Sequence, residues 1–343
     1  ITSIKYNAPL DYASQGRCVT AEDYKVYAKK LYANAQSVQV FGGENGSFDS
    51  SLGVVSAAEY GKVFISVITT TGLSLTSSEK RQLVSDLSKY TVASITPVII
   101  DPDTTFIILN VQFKYDSSKT TSALSEVESE VVSAITSYDT SNLGEFEKLF
   151  RHSQVTRLVD DANVSVLSNT TNVTLGKLFT PTTTASASYY IYFNNALYNP
   201  HSGHNSADGG ILASTGFFIS GDTTNEHFFD DNGEGIVRLY YLQSGARVYV
   251  DSTAGTVNYA TGEVFIESIF ITTISDVDGV TSTQVRLTVI PNSKDIVPVR
   301  NQILKLDLTN STVTGQVDTV AVGDGTSAAT YTTSTSYSTP SGY

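Results

Sequence analysis

Every run of residues with helical periodicity in this chain lies before Pro181; beyond it, apolar residues recur only in short alternating stretches between turns. Helices and strands need different apolar spacings, about 3.6 and about 2 residues, so the switch dictates a mixed first part and an all-strand second part. The chain has 343 residues, 40% of them hydrophobic, which is long enough for more than one packed core. The expected division is 1–180 as a mixed α/β core domain, 181–318 as an all-β domain and 319–343 as a Ser/Thr-rich tail.

In the first part, Thr20 is placed to cap a helix, with Glu22 and Asp23 in its first turn. Acids there favour the positive end of the helix dipole, and Asp23 stands where a capping box carries Glu or Gln. Tyr24, Tyr27, Leu31 and Tyr32 form the apolar stripe, and 38–41 reads as a strand. A Gly/Ser loop at 42–53 precedes a strand at 63–68 that is apolar on both faces and therefore central. Ser77 or Ser78 caps a second helix carrying Leu83, Val84 and Leu87, and 97–100 is a short strand. Along 106–115, Ile107, Leu109, Val111, Phe113 and Tyr115 share one face. A third helix is expected over about 121–137, a fourth over 144–160 with a bend near Ser153, and a strand over 163–175. Helix–strand–strand occurs twice, at 20–69 and 78–115, which also fits a weak internal repeat. Reading Asp101-Pro102-Asp103-Thr104 as a hairpin turn instead gives a split β-α-β, ferredoxin-like order.

In the second part, strands are expected at 189–193, 217–219, 236–242, 247–250, 256–259, 263–272, 283–290 and 303–308, separated by turns such as Gln243-Ser244-Gly245 and Ala260-Thr261-Gly262. Short strands at this spacing argue for a mainly antiparallel β-sandwich or partial barrel, so the fold class is α+β. The tail beyond 319 has little to bury, and the expectation is that a neighbouring subunit or domain holds it. The chain starts at Ile1 and contains no methionine, which reads as a fragment or a processed product.

Charge and motifs exclude several functions. With 21 basic and 34 acidic residues the net charge is −13, which disfavours a general nucleic-acid surface. No apolar run is long enough to span a bilayer as a helix. One cysteine, Cys18, forbids an intrachain disulfide. His201-Ser-Gly-His204, with Asp208 and His227, could hold a metal, but a polar surface loop explains it as well. Asp276-Val-Asp278-Gly279 and Asp230-Asp231-Asn232-Gly233-Glu234-Gly235 invite a calcium reading, yet the first lacks a closing acid and the second is short. Solvated turns are the simpler account of both. Gly42-Gly43-Glu44-Asn45-Gly46 lacks the Lys-Ser/Thr ending of a phosphate loop, and Cys18 has no histidine beside it in sequence. No enzyme, cofactor or metal is expected. Twenty tyrosines remain, and pairs such as Tyr189-Tyr190 with Tyr192, and Tyr240-Tyr241, suit strand cores, sugar platforms or protein interfaces.

The block Arg17-Cys-Val-Thr-Ala-Glu-Asp-Tyr24, with the helix and strand after it, resembles the opening of the core domain in the baseplate-J-like family, the wedge proteins of T-even-like contractile-tail phages. The likeness is most specific over 16–115. It implies the C-terminal part of a wedge protein, carried in the virion tail baseplate after assembly in the host cytoplasm. It further implies a homodimer, a ring of identical subunits joined to neighbouring wedge proteins, and a mechanical role in triggering sheath contraction. The contact residues expected on this reading are Tyr24, Tyr27, Leu31, Tyr189, Tyr190, Tyr192, Tyr240 and Tyr241. The alternative is a receptor- or carbohydrate-binding tail protein, for which Tyr-rich strands and Ser/Thr loops are suited. A third class, an envelope-degrading hydrolase, lacks any supporting motif.

Overall fold

The structure is a computed structural model that describes residues 14–319, apart from 46–47, 50–53, 56–57, 73, 200–208 and 277–281, together with Pro9 and Tyr12. The tail beyond 319, the His201–His204 motif and Asp278-Gly279 lie outside the described residues.

The first unit opens with α1 (Ala21–Leu31). The Asp23 amide donates to the Thr20 hydroxyl, and the Thr20 amide donates to the Asp23 carboxylate at 2.8 Å, so aspartate completes a full capping box. β1 (Ala35–Gly42), the short β2 (Phe48–Asp49) and β3 (Val54–Val55), and β4 (Lys62–Thr69) follow. α2 (Ser77–Leu87) is capped by Thr76, so the expected caps Ser77 and Ser78 lie inside the first turn. Thr76 wins because Glu79 lies three residues on and its carboxylate accepts from the Thr76 amide at 2.8 Å. β5 (Thr96–Ile100) completes a sheet in the order β1-β4-β5, antiparallel on one side of β4 and parallel on the other. The parallel pair needs a crossover, and α2 supplies it. Tyr24, Tyr27, Val38, Val40, Ile65 and Leu87 belong to the core between helices and sheet.

β6 (Asp103–Tyr115) leaves this sheet. The turn at Asp101-Pro102 is no hairpin: β5 pairs only with β4, whereas β6 pairs with β7 (Val166–Phe179). The central pair of a ferredoxin-like order is therefore not formed. Between β6 and β7 lie α3 (Leu124–Asn142) and α4 (His152–Asp160). α3 runs five residues past the expected end at 137 because Tyr138 is still on its buried face. The fourth helix is shorter than expected. Residues 144–151 stay outside it, with φ +80° at Gly144 and +65° at Glu147, while Phe146 and Phe150 bridge to Ile303 and Ile296. Those distant partners outbid local helix propensity.

The rest is strand: β8 (Ala187–Tyr192), β9 (Ala213–Ser214), β10 (Phe217–Ile219), β11 (Asp222–Asp231), β12 (Ile236–Gln243), β13 (Ala246–Asn258), β14 (Glu263–Ile269), β15 (Ile271–Ile274), β16 (Val285–Val289), β17 (Gln302–Leu306) and β18 (Thr312–Val317). With β6 and β7 they make one 13-stranded sheet whose main path is β17-β6-β7-β16-β9-β11-β12-β13-β14-β8. The α+β class holds, with a single curled sheet in place of two facing ones: one core runs from Ile107 and Leu175 through Phe217 and Phe229 to Val264 and Ile266. β17 and β18 both lie parallel to β6, so the last described strands complete the sheet begun at residue 103, and the sheet runs on across residue 180. The expected strands 247–250 and 256–259 merge in β13, and 263–272 divides into β14 and β15. At the β13–β14 turn, Gly262 has φ +75° and a Cβ there would lie 2.3 Å from the Asn195 carbonyl oxygen, so only glycine fits.

Among the described residues, one small apolar cluster, Ile68, Phe146 and Ile303, spans the two units. Gln36 Nε2 donates to Glu145 at 3.1 Å, and Lys25 pairs with Glu147 at 3.4 Å beside it. At the junction itself, Asn301 donates its side-chain amide to the Asp101 carbonyl at 2.9 Å and accepts from the Asp103 amide at 2.9 Å.

Candidate functional site

The densest polar constellation sits under the β12–β13 hairpin. Antiparallel pairing brings Asp230 opposite Arg238 and Tyr240 opposite Tyr249. Asp230 Oδ1 accepts from Arg238 Nε at 2.9 Å; its Oδ2 accepts from Arg247 Nη1 at 2.6 Å and from the Tyr249 hydroxyl at 2.9 Å. The guanidinium carbons of Arg238 and Arg247 lie 4.2 and 4.7 Å from the ring centroids of Tyr249 and Tyr240, within cation–π range. Next to it, Asp231 accepts from the Tyr259 hydroxyl at 2.6 Å and from the Leu212 amide at 2.7 Å. Burial and the Asp231 carboxylate hold the Tyr259 hydroxyl well above its ordinary pKa.

This corrects the solvated-turn reading of 230–235 at its first two residues, which are buried in a strand; 232–235 does form the turn to β12, with Glu234 exposed. The calcium reading fails for the same reason, since arginine, tyrosine and backbone donors already occupy the carboxylates. Sequence reasoning missed the clamp because its members are spread from 212 to 259; the one local signal was two acids directly after Phe228-Phe229.

Lys177 and Asp103, 5% and 8% exposed, form an ion pair across β6 and β7, and burial pushes the Lys177 ammonium pKa down. His227 is fully buried beside Tyr241, with neither ring nitrogen hydrogen-bonded. Cys18 is fully buried and burial pushes its thiol up to about 12, so it is an inert packing residue. Among the described residues no group of three or more His, Cys, Asp or Glu side chains is placed to hold a metal. Nor is any described helix long and apolar enough to cross a membrane.

The residues expected at contacts separate by depth. Tyr24 and Tyr27 lie in the core of the first unit, 1% and 3% exposed, so their rings already serve the interior. Burial raises the Tyr24 hydroxyl to about 12. Tyr189 and Tyr240 are likewise buried. Leu31, Tyr190, Tyr192 and Tyr241 are half-buried and reach the surface. Tyr190 packs on Phe265 at 4.5 Å and stacks beside Tyr192 at 6.4 Å, forming an aromatic strip on the outer side of β8 and β14. The structure does not gather these residues into one place: Leu31 is in the first unit, and the tyrosines lie on strands at different points of the long sheet.

Residues 20–100 match the family model "Baseplate structural protein gp6, C-terminal domain I", and residues 103–178 match "Baseplate structural protein gp6, C-terminal domain III". The class these matches point to is that of the phage-tail baseplate structural proteins. Within it, the chain is a relative of "Baseplate wedge protein gp6" of Enterobacteria phage T4, 29% identical over 161 residues, which is 47% of this chain. It spans only 22% of that relative's length. Among solved structures, the baseplate of the anti-feeding prophage aligns over 51% of this chain and 37% of its own with 14% identity and a TM-score of 0.33, too distant a likeness to define the fold. The boundary between the two family matches falls at the junction Asp101–Asp103, where the chain passes from one sheet to the next.

Proposed function

We propose that this chain is a structural subunit of the baseplate wedge that pairs with a second copy, joins wedges into a ring beside neighbouring wedge proteins, and holds that ring together while it rearranges to trigger sheath contraction. The observation that carries this reading is that the two gp6 domain matches divide where the chain passes from one cored unit to the other, the second match covering the opening part of the second unit. Rearrangement between assembled states works through rigid bodies that repack at interfaces. Two firmly packed units meeting at a small cluster suit that task. Leu31, Tyr190, Tyr192 and Tyr241 are the expected contact residues that remain partly exposed to meet a neighbour.

Light scattering on the purified chain, alone and mixed with wedge partners, tests the reading. The expected outcome is a dimer alone and larger complexes in the mixture. A monomer at all concentrations, with baseplates that still close into rings when the protein is omitted, would overturn it. A receptor- or carbohydrate-binding role is the second reading, favoured by the Tyr190–Phe265–Tyr192 strip. Specific glycan-array binding that is lost in Tyr190→Ala would promote it over the first.

A further inference from the structure

We propose that the first unit is hinged on the second at Asp101, and that residues 18–100 swing as one body about this point when the seam at Phe146 opens. The proposal rests on reading the chain as part of a baseplate that rearranges, and it names the body that moves.

The seam is thin. Among the described residues the two cores are separate clusters, and Ile68, Phe146 and Ile303 form a third, small one between them. Of the helices and strands, β3 and β8 make the fullest contact across the boundary, and β3 is two residues long. The polar links lie at the surface: Gln36 meets Glu145, and Lys25 meets a Glu147 side chain that is 67% exposed. The Phe146 amide reaches the Ser37 hydroxyl at 3.4 Å. Exposed pairs contribute little to stability. Two cored units move relative to each other by default unless a large hydrophobic interface joins them.

Asp101 is tied to both sides. Its carboxylate accepts from Lys80 Nζ of α2 at 2.6 Å, and its carbonyl accepts from the Asn301 side-chain amide at 2.9 Å. Among the described residues, the chain crosses between the units here and nowhere else. Pro102 fixes its own φ and restricts the residue before it, and Asp103 is already paired with Gln302 in the second sheet. The link is therefore short and stiff. It holds the units together at one point, so a swing spreads Ile68 from Phe146 and Ile303 without releasing the first unit. Hinges of this kind are built from a few residues at the ends of elements.

The test measures distances within one full chain by double electron–electron resonance, with labelled protein diluted in unlabelled protein. Spin labels are carried on p-acetylphenylalanine, which leaves thiol chemistry free. One pair spans the units, at Lys29 on α1 and Ser133 on α3; a control pair stays in the second unit, at Ser133 and Ser268 on β14. All three positions are exposed. The expected distance distribution is at least twice as wide for the spanning pair as for the control. Joining Gln36→Cys to Glu145→Cys with a short bis-maleimide should narrow it to the control width, and Cys18, fully buried, does not react. Phe146→Ala should widen it further; should that variant fail to fold, the native and bridged chains decide alone. A spanning pair as narrow as the control in the native chain would overturn the hinge and leave the baseplate reading standing, because assembly decides that reading. A width that survives the bridge would place the motion elsewhere and overturn it as well. A hinge found in a chain that never joins baseplates would stand while the baseplate reading falls.

Discussion

Arg247 Nη1 lies 2.6 Å from Asp230 Oδ2, and the carboxylate side of that pair is only 2% exposed. The hairpin is thus fastened from below by a charge that water does not reach. Removing one member of a buried pair leaves its partners uncompensated, at a cost of roughly 3–5 kcal/mol. Asp230→Ala is expected to destabilise the chain by about that much, read as a lower urea midpoint. Arg247→Met, at the more exposed end of the same network, should cost clearly less.

Lys177 and Asp103 provide a second, separable case. They face each other between β6 and β7 with almost no solvent contact. Lys177→Met alone should cost about 3–5 kcal/mol, because it strands the Asp103 carboxylate, and the double variant Lys177→Met/Asp103→Leu should recover most of the loss. Denaturant unfolding of the two singles and the double, arranged as a thermodynamic cycle, checks this. An additive double variant would show that the pair does not act as a unit.

His227 makes stability depend on pH. Burial, the largest effect, lowers its pKa, and Asp222 at 3.7 Å pulls weakly the other way. A lowered folded pKa means that the unfolded chain takes up the proton first as pH falls. The stabilising contribution is therefore complete above the unfolded value of about 6.5 and is lost as pH drops from there towards the folded value. His227→Phe should flatten the fall of melting temperature between about pH 7 and pH 5 relative to the native chain.

Phe146, 6% exposed, touches Ile68 of one unit and Ile303 of the other. Phe146→Ala should cost about 3 kcal/mol, and its more telling effect is on cooperativity. Hydrogen exchange is expected to show residues 18–100 opening more often than β6 and β7, where the native chain protects both together. Uniform acceleration across both units would contradict a junction role for this side chain.

Local signals in the sequence were sufficient wherever neighbours along the chain decide the structure. Thr20 and Asp23 announced α1, and the alternating Ile107–Tyr115 face announced β6, because caps and strand faces are short-range properties. The stripe of Tyr24 and Tyr27 was equally visible, but its spacing alone does not say whether a ring faces a core or a partner. The structure resolves that by covering the stripe with β1 and β4.

What the sequence by itself determined is the change of class at Pro181, the helices and most strands, and the likeness to baseplate wedge proteins. Only the tertiary structure decided that β5 and β6 separate into different sheets, that Phe146 and Phe150 leave the helix to meet Ile303 and Ile296, and that β17 and β18 return to flank β6. It also decided that Asp230, Arg238, Arg247 and Tyr249 converge. The reason is the same in each case. Strand partners and buried charges are chosen by residues far apart in the chain, whose energy exists only once the intervening loops have closed.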